Sequence, residues 1–258
     1  MEVLDCRKVR DKIKTEVIYN LSDINKTLGI AIISIGDNDV NSVYLRQKRN
    51  FFCELGILFK EFILDSDVDE SFVLDIIDAL NKDDLIDGIM VELPIKSDTI
   101  DTKRILNRID YRKDVDGLTD INRNRLKNNK DCIISSTVVG IMEIFKYYNI
   151  NLDNKKIVIV GNGYLVGKPL SDVLLNNNLD VIVCDSKTKN ISEVIKNADI
   201  LVSCVGIKNL IKLDEIKRDI IIIDAGVSIV DGYVVGDIMR EAIDNIDGFI
   251  TPIIGGVG

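Results

Sequence analysis

The run Lys156-Ile157-Val158-Ile159-Val160-Gly161-Asn162-Gly163-Tyr164-Leu165-Val166-Gly167-Lys168-Pro169 constrains the fold more than any other part of the chain. An apolar strand runs straight into a glycine turn, and a helix follows. Gly161 can make a tight turn, Gly163 lets the backbone approach phosphates, and Gly167 allows close packing of the helix. Pro169 suits that helix's first turn. The arrangement makes a dinucleotide the leading ligand, with its pyrophosphate at the turn. The spacing Gly-x-Gly-x-x-x-Gly is one residue longer than the commonest fingerprint, and glycines also close ordinary strand-to-helix turns.

A second strand pattern, Leu179 to Cys184, places Asp185 where an acidic residue usually meets the adenosine ribose. A carboxylate there accepts hydrogen bonds from the 2′-hydroxyl and repels a 2′-phosphate, so NAD is favoured over NADP. Asn162 supplies no opposing positive charge. Two alternatives stay open: Asp185 caps a turn before Ser186-Lys187-Thr188, or Lys187 or Lys189 holds a phosphate.

The 258 residues allow one large or two modest domains, and 46% apolar residues suffice for packed cores. A net charge of −9 repels nucleic acid and anionic membranes, which leaves a small molecule as the expected partner. Five cysteines lack Cys-x-x-Cys spacing and histidine is absent, so no metal site is expected and the thiols read as reduced. The amino terminus lacks the uninterrupted apolar stretch of a secretory signal, which points to the cytoplasm.

Strand-like segments 29–35, 57–64 and 86–91 alternate with helix-like segments 6–20, 41–55, 70–82 and 100–108. This is a first α/β domain, taken as residues 1–120. The polar stretch from Asn122 to Asp131 reads as connector, and a helix spans Gly140 to Tyr148. A second domain, 121–258, carries strands at 156–160, 180–184, 199–204, 219–224 and 248–251, with a short hairpin across Val230–Val235. It reads as a Rossmann-like, doubly wound, mostly parallel sheet. A ligand is expected in the cleft between the domains.

On the helix 41–55, Tyr44, Lys48, Phe52 and Leu55 fall on one face. Lys48 is the one charge on an apolar stripe. Partial desolvation would suit it to act as an acid, a base or an orienting donor, although a lysine lying over Tyr44 with its head in water fits the pattern as well.

Six segments occur in the order found in the methylenetetrahydrofolate dehydrogenase/methenyltetrahydrofolate cyclohydrolase family. They are Ser42–Lys48, Asp87–Pro94, Lys113–Gly117, Val166–Pro169, Cys184–Thr188 and Ile250–Gly258. Together they cover nearly the whole chain, which resembles that family. The resemblance implies a folate-processing enzyme that oxidises a methylene bridge with a nicotinamide cofactor and hydrolyses the methenyl ring to the formyl form. It further implies a homodimer formed through the second domain. Lys48 matches the family's catalytic lysine, Tyr44 the tyrosine stacked on the folate, and Asp116 the aspartate that hydrogen-bonds the pterin. By themselves, Asp116 reads equally as a turn residue and Tyr44 as core. The implied cofactor set is Thr137, Gly161, Asn162, Gly163, Tyr164, Val166, Gly167, Asp185 and Ser186. Asp224-Ala225-Gly226 and Gly236-Asp237 are further candidates for the nicotinamide edge, although glycine turns at strand ends explain them as well.

The departures from the family pattern carry information too. Glu92 stands where the family has Gln in Val-Gln-Leu-Pro, a residue that contacts the catalytic lysine. A carboxylate in reach of Lys48 favours the charged ammonium and opposes a neutral-base role, so weak cyclohydrolase activity is expected beside a dehydrogenase that persists. Ser135-Ser136-Thr137-Val138-Val139-Gly140 replaces Pro-Cys-Thr-Pro-Lys-Gly. Asn162 replaces an arginine that helps hold the NADP 2′-phosphate, and Asp185 replaces a histidine. The family's Pro-Met-Thr and last helix are expected to be missing after Gly258. Three alternatives stand beside this reading: a fully bifunctional enzyme, a folate- or nucleotide-binding protein without turnover, and a two-domain dehydrogenase acting on a small hydroxy acid.

Overall fold

The computed structural model describes residues 1–36, 39–212, 216–240 and 246–258, and along the helix 39–54 the side chains from Leu45 onward. The chain forms two compact units, Glu16–Ile134 and Met1–Thr15 with Ser135–Gly258. This differs from the expected division at 120/121, for two physical reasons. Strand β1 (Glu2–Val3) pairs in parallel with β11 (Gly248–Ile250), and Leu4 N–H donates to the Ile250 carbonyl at 2.8 Å, which ties the amino terminus to the second sheet. At the other end, the carboxylate of Asp114 accepts from Leu118 N, Thr119 N and Asn122 Nδ2, which holds the segment after residue 117 in the smaller unit.

The smaller unit is a three-stranded parallel sheet in the order β3 (Leu58–Leu64), β2 (Gly29–Ile35), β4 (Gly88–Val91). Its central strand is apolar almost throughout and buried at every position, as a strand covered on both faces must be. Alternate residues serve opposite faces. Ala31, Ile33 and Ile35 pack with Val73, Ile77 and Leu80 of α3 (Glu70–Lys82) and with Ile105 and Leu106 of α4 (Thr102–Arg108). Ile30 and Ile32 pack with Leu45 and Phe52 of α2 (Asp39–Glu54), and with Phe59 and Met90. Each fully buried aliphatic side chain contributes about 1.5–3 kcal/mol.

The chain enters β3 on one side of β2 and returns to β4 on the other. Strand order therefore reverses beside β2, and in such sheets ligands bind at the carboxyl ends of the strands there. The segment expected as connector holds a helix, α5 (Asp120–Lys127), whose start is capped by Thr119 Oγ1 accepting from Asn122 N at 3.2 Å.

The larger unit has six parallel strands in the order β1-β11-β8-β7-β5-β6, with β5 at Lys156–Val160, β6 at Asp180–Cys184, β7 at Ile200–Ser203 and β8 at Ile220–Asp224. Ile157, Val158 and Ile159 are completely buried. Helices α6 (Ser136–Tyr147), α7 (Gly167–Asn176) and α8 (Ile191–Lys196) accompany the sheet, with α6 starting one turn earlier than expected. The expected hairpin is present as β9 (Val227–Val230) and β10 (Tyr233–Gly236). Its two-residue turn has Asp231 at φ 52° and Gly232 at φ 80°, the left-handed pair that a type I′ turn requires. The chain moves from β5 to β6, then crosses to β7 on the other side of β5, so a second switch point lies between β5 and β7.

Among the described residues no helix is long and apolar enough to cross a membrane, and no group of three or more His, Cys, Asp and Glu is placed to hold a metal ion.

Candidate functional site

In the smaller unit, strand parity decides what Glu92 meets. Met90 faces α2, and Glu92, two residues on, points the same way just beyond β4, where its N–H donates to the Ile33 carbonyl at 2.8 Å. Lys48 sits on α2 three residues after buried Leu45 and four before Phe52, on the face turned to the sheet. Its Nζ donates to Glu92 Oε1 at 2.5 Å and lies 3.2 Å from Met90 Sδ. The lysine side chain is 33% exposed and the glutamate 13%, so the pair is partly shielded at the switch point. Neighbouring Arg49 is paired with Glu61 on β3. Tyr44 lies one helical turn before Lys48, and its side chain falls outside the described residues.

Asp116 is half-buried at the third position of a turn closed by Gly117 N donating to the Asp114 carbonyl at 3.1 Å. Gly117 is needed there: its φ is 63°, and a Cβ would lie 2.5 Å from the Ile133 carbonyl oxygen. The turn runs alongside β4, where Ile89 N donates to the Lys113 carbonyl at 2.7 Å and Asp114 bridges Ile89. Asp114 went unremarked in the sequence, yet it organises this corner. It is 2% exposed and accepts from Thr119 N at 2.8 Å, Asn122 Nδ2 at 2.9 Å and Leu118 N at 3.1 Å. The signal available was the pair of aspartates two apart in Lys113-Asp114-Val115-Asp116-Gly117, of which only the second was singled out.

In the larger unit the glycine turn sits at the switch point. Gly161 has φ 111° and lies against Cys204, which follows β7: a Cβ on Gly161 would be 3.0 Å from the Cys204 carbonyl oxygen and Sγ. A Cβ on Gly167 would collide with the Gly161 carbonyl oxygen at 1.9 Å, so this glycine sets how closely α7 packs on the turn. Gly163 is different, since a Cβ there would meet nothing within 4 Å. Its openness leaves main chain accessible beside the start of α7, which no side chain caps. A helix start of this kind suits an anion, so the turn fits a pyrophosphate.

Asn162, Gly163 and Tyr164 are exposed, Val166 is half-buried and Gly167 is buried. Thr137 lies in the first turn of α6, and Ser135, just before that helix, donates Oγ to the Leu165 carbonyl at 3.1 Å. The 135–140 segment and the glycine turn are thereby joined, and Ser135 is a second residue whose role the sequence did not disclose.

Asp185 directly follows β6 and is exposed, as is Ser186. Asp185 Oδ1 accepts from Lys187 N at 2.9 Å and from Thr188 Oγ1 at 3.3 Å, so the carboxylate caps its turn. Gly161 N donates to the neighbouring Cys184 carbonyl at 2.8 Å, which sets Asp185 at the strand end beside the glycine turn. The capping reading is thus present in the structure, at a position also suited to a ribose. Burial, followed by the nearby Asp237 charge, pushes the Cys204 thiol up to about 12, so it stays protonated and packs as an apolar group.

Parallel strands with a glycine turn at their switch point define a dinucleotide-binding unit of the Rossmann class, joined in this chain to a smaller α/β unit that carries a lysine–carboxylate pair at its own switch point. The model of the tetrahydrofolate dehydrogenase/cyclohydrolase catalytic domain matches residues 4–116, and that of the family's NAD(P)-binding domain matches residues 135–258. The chain belongs to this family. It is 38% identical over 259 residues to the bifunctional protein FolD of Clostridium tetani, covering 99% of this chain and 93% of that one. The structure of the bifunctional enzyme FolD from Campylobacter jejuni is similar, with a TM-score of 0.94 and 34% identity, over 100% of this chain and 93% of that one. The dehydrogenase-cyclohydrolase of Trypanosoma brucei, complexed with NADP and an inhibitor, has a TM-score of 0.91 at 27% identity, over 99% and 91% of the two chains.

Proposed function

We propose that this protein oxidises 5,10-methylenetetrahydrofolate to the methenyl form, prefers NAD to NADP, and hydrolyses the methenyl product slowly. The observation that carries this reading is the 2.5 Å bond between Lys48 Nζ and Glu92 Oε1. Lys48 is assigned the proton-handling role at the folate, Tyr44 the aromatic platform and Asp116 the fixed acceptor for pterin N–H groups. Glu92 occupies the Lys48 Nζ on which ring hydrolysis calls as proton carrier. Oxidation depends chiefly on alignment of the two rings, which this bond does not impair.

The dinucleotide, when bound, supplies the hydride acceptor. Gly161, Asn162, Gly163, Tyr164, Val166 and Gly167 would hold its pyrophosphate, Asp185 and Ser186 its adenosine ribose, with Thr137 beside the turn. A carboxylate at 185 and a neutral Asn162 support NAD, because neither residue neutralises a 2′-phosphate. The protein is further proposed to act in the cytoplasm as a homodimer through the larger unit, which mass measurement by light scattering checks.

The test is incubation with methylenetetrahydrofolate and each nicotinamide in turn, following NADH or NADPH and the methenyl chromophore separately. Methenyl compound accumulating with NAD supports the reading. Faster turnover with NADP, or formyl product keeping pace with NADH, overturns the corresponding part. Full bifunctionality is the second reading, favoured by the relatives named bifunctional, and the same assay separates the two. Dinucleotide binding without NADH formation would instead indicate a binding protein.

A further inference from the structure

Two buried aspartates in the larger unit, both in segments noted as candidates for the nicotinamide edge, carry no role in the assignments made so far. Asp237 is completely buried and Asp224 is 4% exposed. They brace each other across the carboxyl ends of β8 and β10. Asp224 Oδ1 accepts from Asp237 N at 3.1 Å, and Asp224 Oδ2 accepts from Arg240 Nη2 at 3.1 Å and more distantly, at 3.4 Å, from Ile238 N. The same Arg240 nitrogen donates to the Thr251 carbonyl at 2.7 Å. Each acid also lies against a glycine beside the other. A Cβ on Gly226 would be 2.0 Å from Asp237 Oδ2, and one on Gly236 would be 2.2 Å from Asp224 Oδ2. Space, not backbone conformation, calls for glycine at both positions.

Such burial is costly, and buried acids are poor contributors to stability compared with well-packed apolar side chains. Their value lies in what they fix. Asp237 clamps the segment that follows β7: Ser203 Oγ donates to Oδ2 at 2.6 Å, Val205 N to Oδ2 at 2.8 Å, and Ile207 N to Oδ1 at 2.8 Å. Residues 204–207 thus have both ends of a short loop tied to one carboxylate. Cys204 N donates to the Val160 carbonyl at 2.9 Å, which places the loop directly across the switch point from the glycine turn. Its Val205 and Ile207 side chains are exposed, so a rigid loop presents apolar groups beside the crevice.

The order β6-β5-β7 orients a ligand along this edge. Adenosine ribose at Asp185 after β6 and pyrophosphate at the turn after β5 leave the nicotinamide half to extend towards β7, one strand spacing of about 4.8 Å further on. We propose that Asp237, aligned by Asp224, is a positioning residue that holds the 204–207 loop as the wall against which the nicotinamide half of the dinucleotide rests. This inference rests on the dinucleotide reading of the glycine turn.

The experiment compares the full-length protein with its Ser203→Ala and Asp237→Asn variants. NADH and ADP-ribose affinities are measured by fluorescence and calorimetry, amide hydrogen exchange at Val205 and Ile207 is followed without ligand, and KM is determined for dinucleotide and folate separately. Ser203→Ala, which removes one of three donors, is expected to weaken NADH binding about threefold to tenfold, and Asp237→Asn more than tenfold, as expected for losing one or more hydrogen bonds to a charged group. Faster exchange at both amides, unchanged ADP-ribose affinity and unchanged folate KM should accompany these losses. NADH affinity within twofold of the parent in a folded Ser203→Ala variant with faster amide exchange would overturn the proposal, as would equal weakening of ADP-ribose. Failure of the parent protein itself to bind either probe would overturn the dinucleotide reading instead.

Discussion

Replacing Glu92 by Gln tests the site most directly, because it keeps the shape of the side chain and removes its charge. Lys48 Nζ now donates to a carboxylate oxygen at 2.5 Å, with Met90 Sδ as its other close neighbour. For Lys48 to handle a proton at the folate ring, its Nζ must give up that bond. Hydrogen bonds involving a charged group contribute about 1.5–3 kcal/mol, and the substitution replaces a carboxylate acceptor by a neutral amide oxygen. The lysine is one-third exposed, and solvent screening brings the difference down to roughly 1 kcal/mol. At 1.36 kcal/mol per tenfold in rate, that corresponds to about a fivefold faster hydrolysis of the methenyl ring in Glu92→Gln. The assay follows decay of added methenyltetrahydrofolate, with NADH formation from the methylene substrate as the internal control, expected to stay within about twofold. A Lys48→Met background should abolish the gain, since the effect passes through the lysine Nζ. Equal hydrolysis by parent and Glu92→Gln, with the dehydrogenase rate intact, would refute the reasoning.

Two of the glycines in the turn should respond in opposite ways. Gly167→Ala forces a Cβ to within 1.9 Å of the Gly161 carbonyl oxygen and is expected to cost at least about 1–3 kcal/mol in urea unfolding, whereas Gly163→Ala should leave stability within about 0.5 kcal/mol yet weaken NAD binding. A stable Gly163→Ala variant with parental affinity would remove the pyrophosphate from this turn. Asn162→Arg combined with Asp185→Ser is expected to shift preference towards NADP by tenfold or more, and a titration showing no shift would contradict the ribose assignment. Asp110 is pulled down to about 2, chiefly by its hydrogen bonds from Arg112. Its folded value lies below the unfolded value of about 3.9, so its contribution is present above roughly pH 4 and is lost as pH falls towards 2. Asp110→Asn should therefore destabilise by about 0.5 kcal/mol at neutral pH, the figure for an exposed pair, and the difference from the parent should vanish near pH 2.

What the sequence disclosed and what it concealed divide along the range of the interactions. Strands β2 and β5 were legible because burial on both faces demands a largely apolar run rich in Ile and Val, and no partner need be known to see it. Helix α5 was not, because its polar sequence offers a weak apolar stripe. Thr119 caps its start and Asp114 ties that start to the turn before it, and the reach of a buried carboxylate is not written in local composition. Strand β1 was hidden for a related reason: two residues show no periodicity, and its partner β11 lies near the far end of the chain.

The candidate sites follow the same division. Lys48 could be named because it is the charge on an apolar helix face, and Glu92 because it stands where the family has Gln, but their meeting depends on the parity of β4 and the face of α2 acting together. Asp185 left two readings open because one carboxylate can serve both, and the structure shows that Oδ1 is committed to its turn. Asp224 and Asp237 read either as candidates for the nicotinamide edge or as the acids of ordinary glycine turns. Their reciprocal packing on Gly226 and Gly236 appears only when β8 and the hairpin are brought together, and it leaves no room for a side chain at either glycine while the opposite acid stays in place. A substitution at any of the four should therefore be felt first at Val205 and Ile207, the amides that Asp237 holds, before it is felt in the core of the sheet.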